Sequence, residues 1–112
     1  MILVTIKIDV RSAKRKELAQ TLSALAGRVR NEAGCVSSAF YREVEDENAL
    51  CVIEEWESQA DLDAHLGSDN FAVLRGAVKV LNGPARMRFH SVSQTLGEEA
   101  VDAARNHRAS GR

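Results

Sequence analysis

The sequence predicts an α+β fold in the order β-α-β-β-α-β, an antiparallel four-stranded sheet with both helical segments on one face. Three observations lead there. Val4, Ile6, Ile8 and Val10 alternate with more polar residues, the period of a strand with one side in a core. Leu18, Leu22, Leu25 and Val29 recur at spacings of four, three and four, the period of an amphipathic helix. Residues 36–44 and 49–56 are two β-type runs around the polar Glu45-Asp46-Glu47-Asn48, the layout of a hairpin. With a further helix and strand behind them, this is the split βαβ arrangement of ferredoxin-like folds.

The elements follow in chain order. Met1 to Val10 is a strand; it lacks the basic start and long apolar block of a signal peptide, so a cytoplasmic location is expected. A helix runs from about Ala13 to Glu32, with Gly34 as its C-terminal stop. Its basic cluster, Arg11 to Lys16, is confined to the start, where it opposes the helix dipole at small cost, so the helix packs on a sheet rather than on a membrane. After the hairpin, Ser58 followed by Asp61 matches a capping box, with Leu62 and Leu66 supplying a buried face. Ser68-Asp69 reads as a second cap ahead of Phe71, Leu74, Val78 and Leu81, so this helical segment is broken at Gly67. Asn82-Gly83-Pro84 ends it, and Met87, Phe89 and Ser91 alternate with Arg88, His90 and Val92 as the last strand. Residues 1–95 form one domain; residues 96–112 are a polar tail, a frayed helix or disordered.

Composition sets the outer limits. A chain of 112 residues with 45% hydrophobic content builds one core. Fifteen Lys plus Arg against 16 Asp plus Glu leave a net charge of -1, which offers no field for nucleic acid or an anionic membrane. The two cysteines, Cys35 and Cys51, lie on the two hairpin strands. Cys51 falls opposite about Arg42, which leaves Cys35 roughly 20 Å along the ladder, too far for a disulfide. His65, His90 and His107 are scattered, so no metal site is expected. One sheet face is left to cover: Leu50, Val52 and Trp56 point to one side of the third strand, Cys51 and Ile53 to the other, and a partner chain is a candidate cover.

Val52-Ile53-Glu54-Glu55-Trp56-Glu57-Ser58, followed by Leu62-Asp63-Ala64-His65-Leu66, resembles the strand-to-helix signature of the antibiotic biosynthesis monooxygenase family, and of its bacterial quinol monooxygenases in particular. Asn31-Glu32-Ala33-Gly34-Cys35 is similar to the family's helix exit, and the likeness spans roughly residues 2 to 94. The resemblance implies a dimeric α/β barrel, two sheets closed on each other as a homodimer, with a pocket in each subunit between sheet and helices. It also implies oxidation of a small quinol-like aromatic by molecular oxygen without a cofactor. No phosphate loop, dinucleotide fingerprint or haem-attachment pair occurs in the chain. The haem-degrading branch of the fold carries a histidine ligand where the resemblance places Arg75, and a guanidinium cannot ligate iron. The Pro-His pair of many relatives is replaced by Asp69-Asn70.

Within that frame His65 is the candidate catalytic proton acceptor, because an imidazole titrates near pH 6.5 and a quinol must lose a proton before it reduces oxygen readily. Its alternative is a structural histidine bonded to backbone. Trp56, the sole tryptophan, is a candidate to stack on substrate or a plain core anchor. Arg75 either stabilises an oxyanion or lies on a solvated helix face. Tyr41, Arg88 and His90 face either the pocket or the partner, and Phe40 and Phe89 are core or cavity wall. Glu54, on Trp56's side, is either a buried polar group requiring a partner or an intersubunit ion-pair former, the second being preferred. Beside the oxygenase stand two other functions: a non-catalytic small-molecule or regulatory module, and an isomerase or degradation enzyme for a phosphorylated signalling metabolite. The last requires Arg75, Arg86 and Arg88 to converge as a phosphate clamp.

Overall fold

A computed structural model describes residues 1–81 and 85–110. The elements are β1 (Ile2–Asp9), a 3-10 turn (Ser12–Lys14), α1 (Arg15–Val29), β2 (Cys35–Arg42), β3 (Ala49–Trp56), α2 (Gln59–Leu66), α3 (Asp69–Val80), β4 (Ala85–Ser91) and α4 (Glu99–Ser110). The four strands pair antiparallel in the order β2-β3-β1-β4, which is the ferredoxin-like sheet. Asn82-Gly83-Pro84, expected to end the second helical segment, lie outside the described residues.

Alternation along the strands decides which side becomes core. Val4, Ile6 and Ile8 of β1 and Leu50, Val52 and Trp56 of β3 point to the helices and are buried, together with Leu18, Leu22, Leu25 and Val29 from α1. Ile6, Leu18 and Trp56 are 0% exposed; burying a side chain of this size contributes about 1.5–3 kcal/mol each. The odd-numbered residues of β1 and β3 form the opposite sheet face, where Leu3, Thr5, Ile53 and Glu55 are half-buried and Lys7 is exposed. On β4 of that face Arg86, Arg88 and His90 are exposed.

The helix boundaries have local causes. α1 has no side-chain cap and enters through the 3-10 turn instead, in keeping with the basic residues at its start. Past its end, Gly34 takes φ 79°, the left-handed conformation that lets the chain turn into β2. Ser58 Oγ accepts from the Asp61 amide at 3.1 Å and donates to the Asp61 carboxylate at 2.8 Å, which opens α2. At the Gly67 break, Ser68 Oγ accepts from the Phe71 amide at 3.2 Å and donates to the His65 carbonyl at 2.6 Å, clamping the exit of α2 to the entry of α3.

Two details differ from the sequence reading, the hairpin register and the start of β4. Cys51 pairs with Tyr41 rather than Arg42, because the β2–β3 turn sets Arg42 opposite Leu50; a separate irregularity lies between Cys35 and Ser37. Both cysteines are free, and burial, the largest influence on each, raises the Cys35 and Cys51 thiols above the ordinary value. β4 starts at Ala85, whose backbone pairs with Ile8. In the tail, residues 99–110 are helical: the segment is rich in Ala, with Glu99 and Asp102 in its first turn and His107 and Arg108 in its last, a charge order that follows the helix dipole. No helix among the described residues is long and apolar enough to cross a membrane.

Candidate active site

The site is built where three connections meet: the turn after α1, the end of β3, and the α2–α3 joint. Glu54 occupies a core-facing position of β3, and the strand period that buries Val52 and Trp56 buries its carboxylate as well, leaving it 3% exposed. Its Oε1 accepts a hydrogen bond from Trp56 Nε1 at 3.1 Å. His65, in the last turn of α2 and on the same side as Leu62, is 2% exposed. Its ring stacks on Trp56 with centroids 4.4 Å apart and planes 25° from parallel, and Phe71 meets it edge-on at 5.5 Å.

Each ring nitrogen of His65 faces a carboxylate. Nδ1 is 2.9 Å from Glu32 Oε2, a hydrogen bond that ties α2 to the turn after α1. Nε2 is buried 3.3 Å from Glu54 Oε1, a long contact that falls short of good hydrogen-bond geometry. Asn70 Nδ2 donates to Glu32 Oε2 at 3.2 Å and fixes that carboxylate from α3. Burial is the largest influence on His65 and pulls it toward the neutral form. The bonding and charge of Glu54, then of Glu32, outweigh it and raise the imidazole above its ordinary value of 6.5. The two carboxylates approach the imidazole from opposite nitrogens and do not converge on a common point; among the described residues no group of His, Cys, Asp and Glu is arranged to hold a metal ion.

A cavity of about 20 Å³ opens above the cluster, lined by Glu54, His65 and Asn70 on the polar side and by Phe40, Phe71 and Leu74 among its apolar walls. That is room for a single water molecule. Ser38, also buried, borders it, and its carbonyl accepts from Arg30 Nε at 2.8 Å, tying the end of α1 to β2.

Of the residues singled out in the sequence, His65 and Phe40 border this cavity. Trp56 lies beneath His65, fully buried, with one ring face against the imidazole. Tyr41 is 53% exposed and shares its sheet face with Cys51. Phe89 shares the helix-side face with Val4 but stands on the edge strand and is 48% exposed. Arg75 borders a shallow groove between α3 and β4 with Ala85 and Met87, whereas Arg86 and Arg88 lie on the other side of the sheet. The three arginines therefore do not converge, and the phosphate-clamp condition is unmet. Glu54 is corrected: it faces the helices, bonded to Trp56, and does not reach out to a partner chain.

Glu32 and Asn70 belong to the site and were not picked out as functional in the sequence. A signal existed for the first. Glu32 puts a negative charge just past the C-terminal end of a helix, where the dipole disfavours it unless a cation lies nearby.

Fold and site together define a small single-sheet α+β domain with one buried acid–imidazole cluster under a cavity between sheet and helices. The chain belongs to the antibiotic biosynthesis monooxygenase family, whose model matches residues 1–76 and so covers every member of the cluster. An uncharacterized protein of Synechocystis sp. is 26% identical over 95 residues, which are 84% of this chain and 65% of that relative's length. The crystal structure of a putative antibiotic biosynthesis monooxygenase from Deinococcus radiodurans matches with a TM-score of 0.83 at 17% identity over 87% of this chain and 97% of that one. SnoaB, a cofactor-independent oxygenase from Streptomyces nogalater, matches with a TM-score of 0.75 at 20% identity, again over 87% and 97%. At these identities the two structures establish the fold.

Proposed function

We propose that the protein oxidises a small quinol or hydroxylated aromatic with molecular oxygen, the deprotonated substrate supplying the electrons, without a bound metal, flavin or haem. Membership of a monooxygenase family supports the reaction class, and buried His65 and Glu54 at the cavity wall, backed by half-buried Glu32, are the observation that carries the reading. An electron-rich phenol becomes a far better reductant once its proton is gone, and a proton-handling cluster shielded from water is what that step requires. Apolar walls from Phe40, Phe71 and Leu74 suit an aromatic ring. A ring enters only when those side chains part, since the cavity is about 20 Å³.

The active form in this reading is a homodimer. Leu3, Ala39 and Ile53 are half-buried apolar residues on the face opposite the helices, with Glu55 and Arg88 on the same face. A second copy presenting the same face would cover them. Sedimentation at micromolar concentration tests this: a monomer removes the dimer from the proposal.

Asp69-Asn70, in place of the Pro-His pair of many relatives, favours one other reading, a binding module that holds a small molecule without turnover. Oxygen uptake by the purified protein with reduced naphthoquinone, beside a His65→Ala variant and chelator-treated protein, separates the two. Uptake lost in the variant and kept after chelation supports the oxygenase; no uptake above the spontaneous rate, with ligand-induced thermal stabilisation, supports the binding module.

A further inference from the structure

We infer that Glu54, rather than His65, is the residue that takes the proton from a bound hydroxylated aromatic, and that His65 and Glu32 act behind it as positioning residues. The inference rests on the functional reading above and deepens it. His65 borders the cavity, but neither ring nitrogen is open to it: Nδ1 is engaged by Glu32 at 2.9 Å and Nε2 is sealed beside Glu54. One ring face is covered by Trp56, and Phe71 closes an edge. Glu54 differs. One carboxylate oxygen is bonded to Trp56 Nε1, while Oε2 has no hydrogen-bond partner among the described residues and is not among the sealed atoms, in a side chain that lines the cavity.

Charge counting points the same way. Two carboxylates, buried Glu54 and half-buried Glu32, flank one imidazolium and leave one negative charge in excess among the three groups. The Cys35 thiol is close enough to feel both carboxylates and, with opposite sign, the Arg30 guanidinium, an exposed cation bonded through Nε to the Ser38 carbonyl that offsets part of this charge from the solvent side. Asn70, Trp56 and Phe71, the other neighbours of the cluster, carry no charge. A proton added at Oε2, the carboxylate oxygen not bonded to Trp56, lowers the negative charge around the imidazole. In the step, the substrate O–H bond breaks, its electron pair stays on the substrate oxygen, and the proton goes to Glu54 Oε2. That new O–H then donates to the oxyanion. His65 keeps its proton throughout, held between Glu32 and Glu54.

The experiment uses the full chain with ring-15N-labelled histidine and a nitronaphthol, whose phenol and phenolate forms absorb at different wavelengths. Signals of the three histidines are assigned with His90→Gln and His107→Gln variants. The expected result is a bound phenolate at pH 6 with His65 doubly protonated both before and after binding. Glu54→Gln is expected to bind within a few-fold of wild type and to lower the phenolate-to-phenol ratio at least tenfold. Glu32→Gln, which removes the excess charge, is expected to lower that ratio severalfold with little change in affinity, and Glu32→Asp to restore part of it. A purely structural Glu32 leaves the ratio unmoved. If His65 is neutral in the free protein and gains its proton on binding, the inference is overturned, and this wild-type measurement decides even where Glu54→Gln does not fold. A retained phenolate signal in folded Glu54→Gln also overturns it. Loss of oxygen turnover with the phenolate signature intact removes the oxygenase reading and leaves Glu54 as the acceptor; no nitronaphthol binding by wild type removes both.

Discussion

Trp56 and His65 stack with ring centroids 4.4 Å apart, and both contact the same carboxylate oxygen, Glu54 Oε1. The strand end and the helix end are thereby locked through one buried acid. Trp56→Phe keeps an aromatic face for the imidazole but removes the Nε1–H that satisfies Glu54. Leaving a buried acceptor without its donor costs about 1–3 kcal/mol. Urea denaturation followed by circular dichroism is expected to show a loss in that range, and a midpoint equal to wild type would mean that water replaces the indole donor.

The His65 cluster also makes stability depend on pH in a direction that can be fixed. His65 is raised above 6.5 in the folded protein, so the folded state holds the proton more tightly than the unfolded chain. Its stabilisation is fully present below the unfolded value and is lost as pH rises through the higher folded value. The midpoint of urea unfolding is therefore expected to fall between pH 6.5 and the region near 9.0, above which the raised Cys35 and Cys51 thiols add a loss of the same sign. A midpoint that rises with pH across this window would contradict the charged imidazole. His65→Gln is expected to flatten the dependence.

Two glycines are expected to respond in opposite directions to the same change. Gly27 sits within α1 with open space where a Cβ would project, so Gly27→Ala is expected to stabilise by about 0.5–1 kcal/mol through helix propensity. Gly34 has φ 79° and its missing Cβ faces the Asp61 carboxyl group. Gly34→Ala meets a left-handed backbone cost of about 1–2 kcal/mol and also displaces Asp61, the partner of the Ser58 cap. Chemical denaturation of the two variants side by side checks the contrast, and a Gly34→Ala midpoint at or above wild type would overturn it.

How far the sequence reaches depends on the range of the interactions. β1 and β3 were legible because burial on one side imposes a period of two on neighbouring residues, and the break at Gly67 because Ser58 and Ser68 act on amides three residues away. Register was legible only to one residue, since it is set by the β2–β3 turn and by the irregularity near Ser37, where no glycine marks the turn type. In the site, His65 and Trp56 were legible from their chemistry and position. Glu32 and Asn70 were not picked out, because Glu32 meets His65 across 33 residues and Asn70 across 38, distances over which only the closed fold brings turns together. Glu54 carried a visible anomaly, an acid in a core-facing row of apolar residues; the reading chose a partner chain to satisfy it, and the fold supplies Trp56 and His65 instead.

Phe40 and Phe89 offer a test of which part of the helix-side sheet face meets substrate. Both side chains point to that face, but β3 and β1 lie between their strands. Phe40 borders the cavity beside Val52 and Glu54, while Phe89 is half-exposed at the edge. Phe40→Leu is expected to enlarge the cavity and change KM for a naphthoquinol severalfold, at a stability loss of about 1–2 kcal/mol for the reduced packing. Phe89→Leu buries little and is expected to leave KM unchanged and stability within about 0.5 kcal/mol. Steady-state oxygen uptake across naphthoquinols of increasing ring substitution makes the comparison sharper: Phe40→Leu is expected to gain most on the bulkiest. A KM change confined to Phe89→Leu would move the aromatic site to the β4 edge, near the groove bordered by Arg75 and Met87.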